Sequence, residues 1–144
     1  VAGAEAAYSL RRLTEGYDGP ALVVRRGSDD ATRIVGFGSS GLLDVNAITD
    51  FVGEGDGFVT RWFDQLGAGG GGGGDDLGSV SDLVQSDPEL QPMIVREGSL
   101  VVGVGDEPAL FFDGSDEEDG EPDHLVSGEL ADGVALNDYT LVSV

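Results

Sequence analysis

The chain has 144 residues, 40% of them hydrophobic, which is enough for one domain with its own core. Its 28 acids and seven bases give a formal charge of −21, and the lack of any basic patch argues against nucleic acid as a partner. With no Cys there is no disulfide, thiolate zinc site or Cys nucleophile, and no apolar run approaches the ~18–20 residues of a membrane span.

The charge is unevenly spread. Residues 1–37 hold five Arg and five acids, net 0, whereas residues 38–144 hold two Arg and 23 acids, net −21. Lys is absent and 18 of the acids are Asp. These acids are interleaved with strand-like apolar segments, so a folded acidic surface is expected rather than a disordered acidic tail. One-signed charge of this size suits a halophilic source, where salt screens the self-repulsion. Arg in place of Lys fits bidentate pairing with carboxylates.

In chain order, Ala4 to Glu15 reads as a helix: it is rich in Ala, Glu, Leu and Arg, its apolar face is Ala6, Leu10 and Leu13, and Gly16 is the stop. Ala21 to Arg26 and Thr32 to Phe37 read as strands on either side of the turn residues Gly27-Ser28-Asp29-Asp30. Asp44 caps a predicted short helix through Phe51 that buries Val45, Ile48 and Phe51 or Val52 and ends at Gly53.

Phe58 to Phe63 is the best-patterned strand, with Val59, Arg61 and Phe63 predicted on one face and Phe58, Thr60 and Trp62 on the other. Asp64-Gln65 ends that run. Residues 67–91, opening with the six glycines Gly69 to Gly74, read as a Gly-rich and polar loop insertion. Short strands follow at Pro92 to Val95, Leu100 to Val104, Ala109 to Phe112 and His124 to Val126. A last strand opens at Asn137 and runs to Val144 with no turn after it. The unit is therefore expected to continue past Val144, or to receive strands from another chain.

Three motifs bear on chemistry. Gly67, Gly69 and Gly72 satisfy G-x-G-x-x-G, but Asp75 and Asp76 follow where a helix N-terminus should meet phosphate, so a flexible loop is the better reading. Asp113, Asp116 and Asp119 lie in the dense acidic stretch Asp113 to Asp123 and are candidate oxygen ligands for Ca²⁺; a solvated acidic loop is the alternative. His124 is the sole histidine, and no nucleophile elbow accompanies any Ser, so neither a multi-His metal site nor a Ser-His-Asp triad is expected. Paired carboxylates for glycoside hydrolysis depend on a separation that sequence does not give. Trp62, Tyr8 and Tyr17 could stack on sugar rings, although core packing is the commoner use of such residues.

Five segments then occur together in a familiar order: Ala7-Tyr8-Ser9-Leu10-Arg11-Arg12-Leu13, Val24 to Asp30, Gly57 to Gln65, Leu90 to Val95 and Ala109 to Asp116. The set resembles the N-terminal half of the α-L-arabinofuranosidase B catalytic domain. It is closer to the non-catalytic, laminin-G/concanavalin-like relatives in tail and surface proteins of viruses of bacteria and archaea. The resemblance implies a mainly β fold: a two-sheet antiparallel jelly-roll sandwich with one or two short helices, here as a single domain over residues 1–144 that is incomplete at its C-terminus.

It carries over no catalytic residue, because the family's carboxylates lie beyond this region. The family's D-Q-S-G-N-G turn reads Asp64-Gln65-Leu66-Gly67-Ala68-Gly69 here, without the Ser and Asn side chains. The expected role is a non-enzymatic, extracellular virion domain (tail, fibre or capsid protrusion) of a virus infecting a halophilic archaeon. Its expected partners are other virion proteins, further copies of itself, and host surface glycans. The alternatives are a glycoside hydrolase related to arabinofuranosidases and a carbohydrate-binding module of a secreted halophilic enzyme.

Overall fold

The computed structural model describes residues 6–66, 81–114 and 121–127. They form one antiparallel sheet of seven strands and a single α-helix. Strands β1 (Leu22–Arg26) and β2 (Thr32–Val35) make a hairpin, α1 (Val45–Val52) follows, and β3 (Gly57–Trp62) lies against β1. The remaining strands are β4 (Leu83–Val84), β5 (Met93–Arg96), β6 (Ser99–Leu100) and β7 (Val126–Ser127).

The sheet branches at β3. Its far edge pairs with β4 through Arg61 and Trp62, and with β5 through Gly57 and Phe58. Strands β4 and β5 both run antiparallel to β3, so they are two halves of one line of pairing. Gln85 N donates to Thr60 O (3.0 Å) and Val59 N to Pro92 O (2.8 Å), which leaves Ser86 to Gln91 as an excursion between the halves. A 3-10 turn at Pro88–Leu90, capped by the Asp87 side chain, closes it.

α1 forms where the sequence places a cap, an apolar stripe and a stop. The Asp44 carboxylate accepts from Ala47 N (3.1 Å), Ile48, Phe51 and Val52 are buried, and Gly53 ends the helix at φ 73°. The helix covers one sheet face, where Leu22, Val24, Val35, Val59, Ile94 and Val95 are all at most 2% exposed. Each such side chain contributes about 1.5–3 kcal/mol of burial. Gly57 lets the helix approach this closely, since a Cβ there would sit 2.7 Å from Val52 Cγ2.

Two features correct the sequence expectations. First, residues 6–15 are irregular rather than helical. In a helix Ser9 C=O would accept from Leu13 N–H. Here the Gln65 amide stands between them, donating to Ser9 O (2.9 Å) and accepting from Leu13 N (2.8 Å). Tertiary bonds to the same backbone groups override helix propensity. Second, Val59 and Arg61 do not share a face. Pairing runs Val24↔Val59 but Val23↔Arg61, so a bulge at Thr60 reverses the alternation. Val59 and Trp62 face the core; Phe58 and Arg61 face away.

Among the described residues the predicted strands lie near their expected places: β3 and β5 keep their length one residue away, β7 shifts toward Ser127, and the others are shorter. Of Ala109 to Phe112 only an isolated bridge remains, Phe111 with Met93, and Val102 bridges Pro108. Within 67–91, residues 67–80 lie outside the described residues, while 81–91 carry β4 and the 3-10 turn instead of loop alone. The strand expected at Asn137 to Val144 also lies outside them. Among the described residues no helix is long and apolar enough to cross a membrane.

Candidate functional site

Among the described residues, all but one of the buried polar side chains, Ser127 of β7 being the exception, gather just beyond the C-terminal end of β3 and in the excursion beside it. Asp64, Gln65, Asp82, Gln85 and Gln91 are each at most 7% exposed. Because β3 ends at Trp62, Asp64 and Gln65 fall between the N-terminal segment and residues 81–82. Asp64 Oδ1 accepts from Ala7 N (2.8 Å) and Leu66 N (2.9 Å), and Oδ2 from Ser81 Oγ (2.8 Å). The Asp64 N–H donates to Asp82 Oδ1 (3.0 Å), and Arg61 stands 3.6 Å from Asp82 Oδ2. Tyr8 OH donates to Ser81 O, and Gln65 Nε2 also reaches Arg11 O (2.9 Å).

This arrangement satisfies buried donors and acceptors, as buried polar groups require. Both carboxylates are occupied by backbone and side-chain donors from three separate segments. They tie the N-terminal segment, the end of β3 and the start of β4 into one unit. Tyr17 lies close by and donates to Pro20 O (2.7 Å). Burial, reinforced by Asp82, Asp64 and Asp18, pushes its phenol up to about 12.

A second polar group holds the excursion. Gln91 Nε2 donates to Gln85 O (3.0 Å), Gln85 Oε1 accepts from Asp87 N (3.0 Å), and Gln85 Nε2 donates to His124 O (3.2 Å). Arg25 reaches across from β1, giving Nε to Gln91 Oε1 (2.7 Å) and Nη2 to Pro88 O (3.3 Å) while its guanidinium lies 4.6 Å from the Phe58 ring centroid. Sequence reasoning missed both groups. Their signal was an Asp-Gln pair directly after an aromatic strand, and two Gln six residues apart in a stretch otherwise read as loop.

Of the sequence-derived metal candidates, Asp113 alone lies among the described residues. Asp113 is exposed; its N–H donates to Asp123 Oδ2 (2.9 Å) and its carbonyl accepts from Asp123 N (2.9 Å), which closes the base of the acidic loop. Asp116 and Asp119 lie outside the described residues, as do Gly67, Gly69 and Gly72. Among the described residues no three His, Cys, Asp or Glu side chains converge as metal ligands. The His124 ring lies 2.9 Å from Pro122 O through Nδ1.

The aromatics weighed as sugar platforms are packed into the scaffold. Trp62 packs on the core with Nε1 3.4 Å from Ser9 O, its ring 6.1 Å from that of Tyr8. Tyr17 is buried, edge-on to Phe37.

Among the described residues, none covers the sheet face turned away from α1. A shallow groove of about 570 Å³ runs over it, lined by residues of β1 to β4 that include Val23, Thr32, Ile34 and Thr60, with Phe63 at its floor. Comparison of the chain with protein-family models, with curated proteins and with solved structures finds no match.

Proposed function

We propose that this chain is a non-catalytic assembly or attachment domain of a virion surface protein, a tail, fibre or capsid protrusion of a virus of a halophilic archaeon. In this reading its sheet is one layer of a jelly-roll sandwich. The observation that carries the proposal is the use made of Asp64 and Gln65. The segment Gly57 to Gln65 is the densest part of the resemblance, and its polar end is consumed in holding three pieces of backbone together. A carboxylate with both oxygens already accepting from buried donors is positioned for architecture rather than for proton transfer to a substrate. The charge of −21 suits exposure to concentrated salt, and the open sheet face suits a contact made outside the chain.

The test is localisation together with turnover. Peptides of this chain are expected in purified, washed virus particles from the source culture, in fixed proportion to shell or tail proteins. No release of product from an aryl arabinofuranoside at molar salt is expected. Recovery solely from particle-free medium, with turnover of that substrate, would overturn the proposal in favour of a secreted glycosidase.

A further inference from the structure

The register places one row of side chains across five strands on the face away from α1. Ile34 of β2 lies opposite Val23 of β1, Val23 opposite Arg61 of β3, Arg61 opposite Val84 of β4, and Val84 opposite Val126 of β7. Four of the five are β-branched aliphatics. The two ends of the row are the most open, Ile34 at 46% and Val126 at 44% exposure. Four strand spacings of ~4.8 Å make the row about 19 Å long. The bulge at Thr60 creates it, because under strict alternation Arg61 would share the core-facing side with Val59.

Among the described residues the groove along this row is also free of acid. None of the nine residues lining the groove is Asp or Glu, in a chain where 28 of 144 residues are. Its one charge, Arg61, stands 3.6 Å from the buried Asp82 carboxylate. This chemistry narrows the occupant. A glycan would want an exposed aromatic platform, and the groove's only ring, Phe63, is 5% exposed. A nucleic acid would want several cations. A basic protein would want carboxylates in the lining. What fits is another uncharged, β-branched sheet surface, and this chain carries one.

We propose that this row is a self-association face, on which two copies pack sheet to sheet. On a chain with −21 charge it is the surface through which copies can meet without setting carboxylates against carboxylates. The pairing does not depend on the virion reading and would stand if that reading failed. Long-range repulsion between the acidic bodies opposes it, so association strengthens with salt: the screening length falls from about 10 Å at 0.1 M to about 3 Å at 1 M.

The experiment is sedimentation equilibrium of the 144-residue chain from micromolar to millimolar concentration, at 0.1 M and at molar NaCl. It is repeated with Ile34→Asp and with Val126→Asp, and thermal melts are run on all three. These substitutions fall at exposed ends of the row, so the fold should tolerate them. A monomer–dimer equilibrium is expected at molar salt, weaker at 0.1 M, with the dissociation constant raised at least tenfold by each variant and with unchanged Tm in melts at 0.1 M salt and the lowest concentration, where all three chains are monomeric. Three results overturn the proposal. One is a monomer at every concentration and salt. Another is a dimer that both variants leave intact, which would place the contact elsewhere. The third is a monomer whose Tm falls in both variants, which would mean that the chain covers this face itself.

Discussion

Gln65 offers the most direct test of the polar network, because its three bonds fix which end of the amide is which. Nε2 donates to Ser9 O and Arg11 O, both at 2.9 Å, and Oε1 accepts from Leu13 N at 2.8 Å. The residue is 4% exposed. Removing the amide with Gln65→Ala deletes three hydrogen bonds of about 1 kcal/mol each, so a loss of roughly 3 kcal/mol is expected.

Gln65→Glu is nearly isosteric yet should cost more at neutral pH. It sets a carboxylate against two carbonyl oxygens and removes the amide donor from both, leaving Ser9 O only the 3.4 Å contact with Trp62 Nε1. Burial and those oxygens disfavour the charged form, so the folded-state pKa of the introduced Glu is raised above its unfolded value near 4.3. The sign follows from linkage. As pH rises above the unfolded value, the unfolded state loses the proton first, and the variant's deficit grows by about 1.4 kcal/mol per unit until the folded group also ionises. Urea titrations of wild type and Gln65→Glu at pH 5 and 7.5, at molar salt, measure the difference at each pH. A deficit that is absent, or that does not widen toward pH 7.5, would refute the claim that the Gln65 amide bridges Ser9 O and Leu13 N.

Four further outcomes are expected. Arg25→Lys loses the bonds to Gln91 and Pro88 and the stacking over Phe58; a cost of roughly 2 kcal/mol should appear in a chemical melt, with faster proteolysis between Ser86 and Gln91. Gly57→Ala sets a methyl 2.7 Å from Val52 Cγ2 and 3.3 Å from Val95 Cβ, and should destabilise by about 1–3 kcal/mol in the same assay. Tyr17, raised to about 12 by burial and three acids, should stay protonated in ultraviolet titrations while exposed phenols ionise near 10; its contribution is intact below pH 10 and lost between 10 and 12, and Tyr17→Phe should flatten stability over that window. Melting temperature should rise between 0.1 and 3 M NaCl as the acids are screened, and a flat profile would remove the halophilic reading.

The parts of this fold that were legible in sequence are those set by neighbours in the chain. The β1–β2 hairpin was marked by Gly27 to Asp30 between β-branched runs, and α1 by Asp44, a three-to-four spacing of apolar residues and Gly53. What was not legible depends on contacts far apart in sequence. The stretch after Ala6 has good helix formers, and partners distant in sequence decide otherwise, Gln65 more than fifty residues away together with Asp64 and the segment around Gly41. The faces of β3 were predicted from strict alternation, which one bulged residue at Thr60 inverts. Strand β4 has two residues, too short to carry a period of its own, and exists because β3 leaves an edge for it. The same limit applies to function. Single segments showed Asp64 and Gln65 as the end of a strand, and only their partners in other segments show what they hold.

The arginines complete the electrostatic picture in a way the charge count did not suggest. Pairing with carboxylates was the expected reason for choosing Arg over Lys, and among the described residues there is one bidentate pair, Arg26 with Asp29; the Arg26 guanidinium holds that carboxyl below its usual range. Yet six of the seven arginines place the guanidinium over a phenylalanine ring, at 4.6 to 5.9 Å from the centroid. Arg26 and Arg33 share the ring of Phe51, the residue that α1 turns toward the sheet. Among the described residues Arg11 alone has no ring beneath it, and it pairs instead with Glu107 at 2.7 Å. A guanidinium can lie flat on an aromatic face and bond at its edge at once, which an ammonium cannot. The distinction matters most in salt. Repulsion among exposed acids and attraction in exposed ion pairs both fade as the screening length shrinks, whereas a cation resting on a ring is in van der Waals contact with no ions between. A chain with so few cations has therefore put most of them where added salt removes the surface repulsion and leaves their own attachments in place.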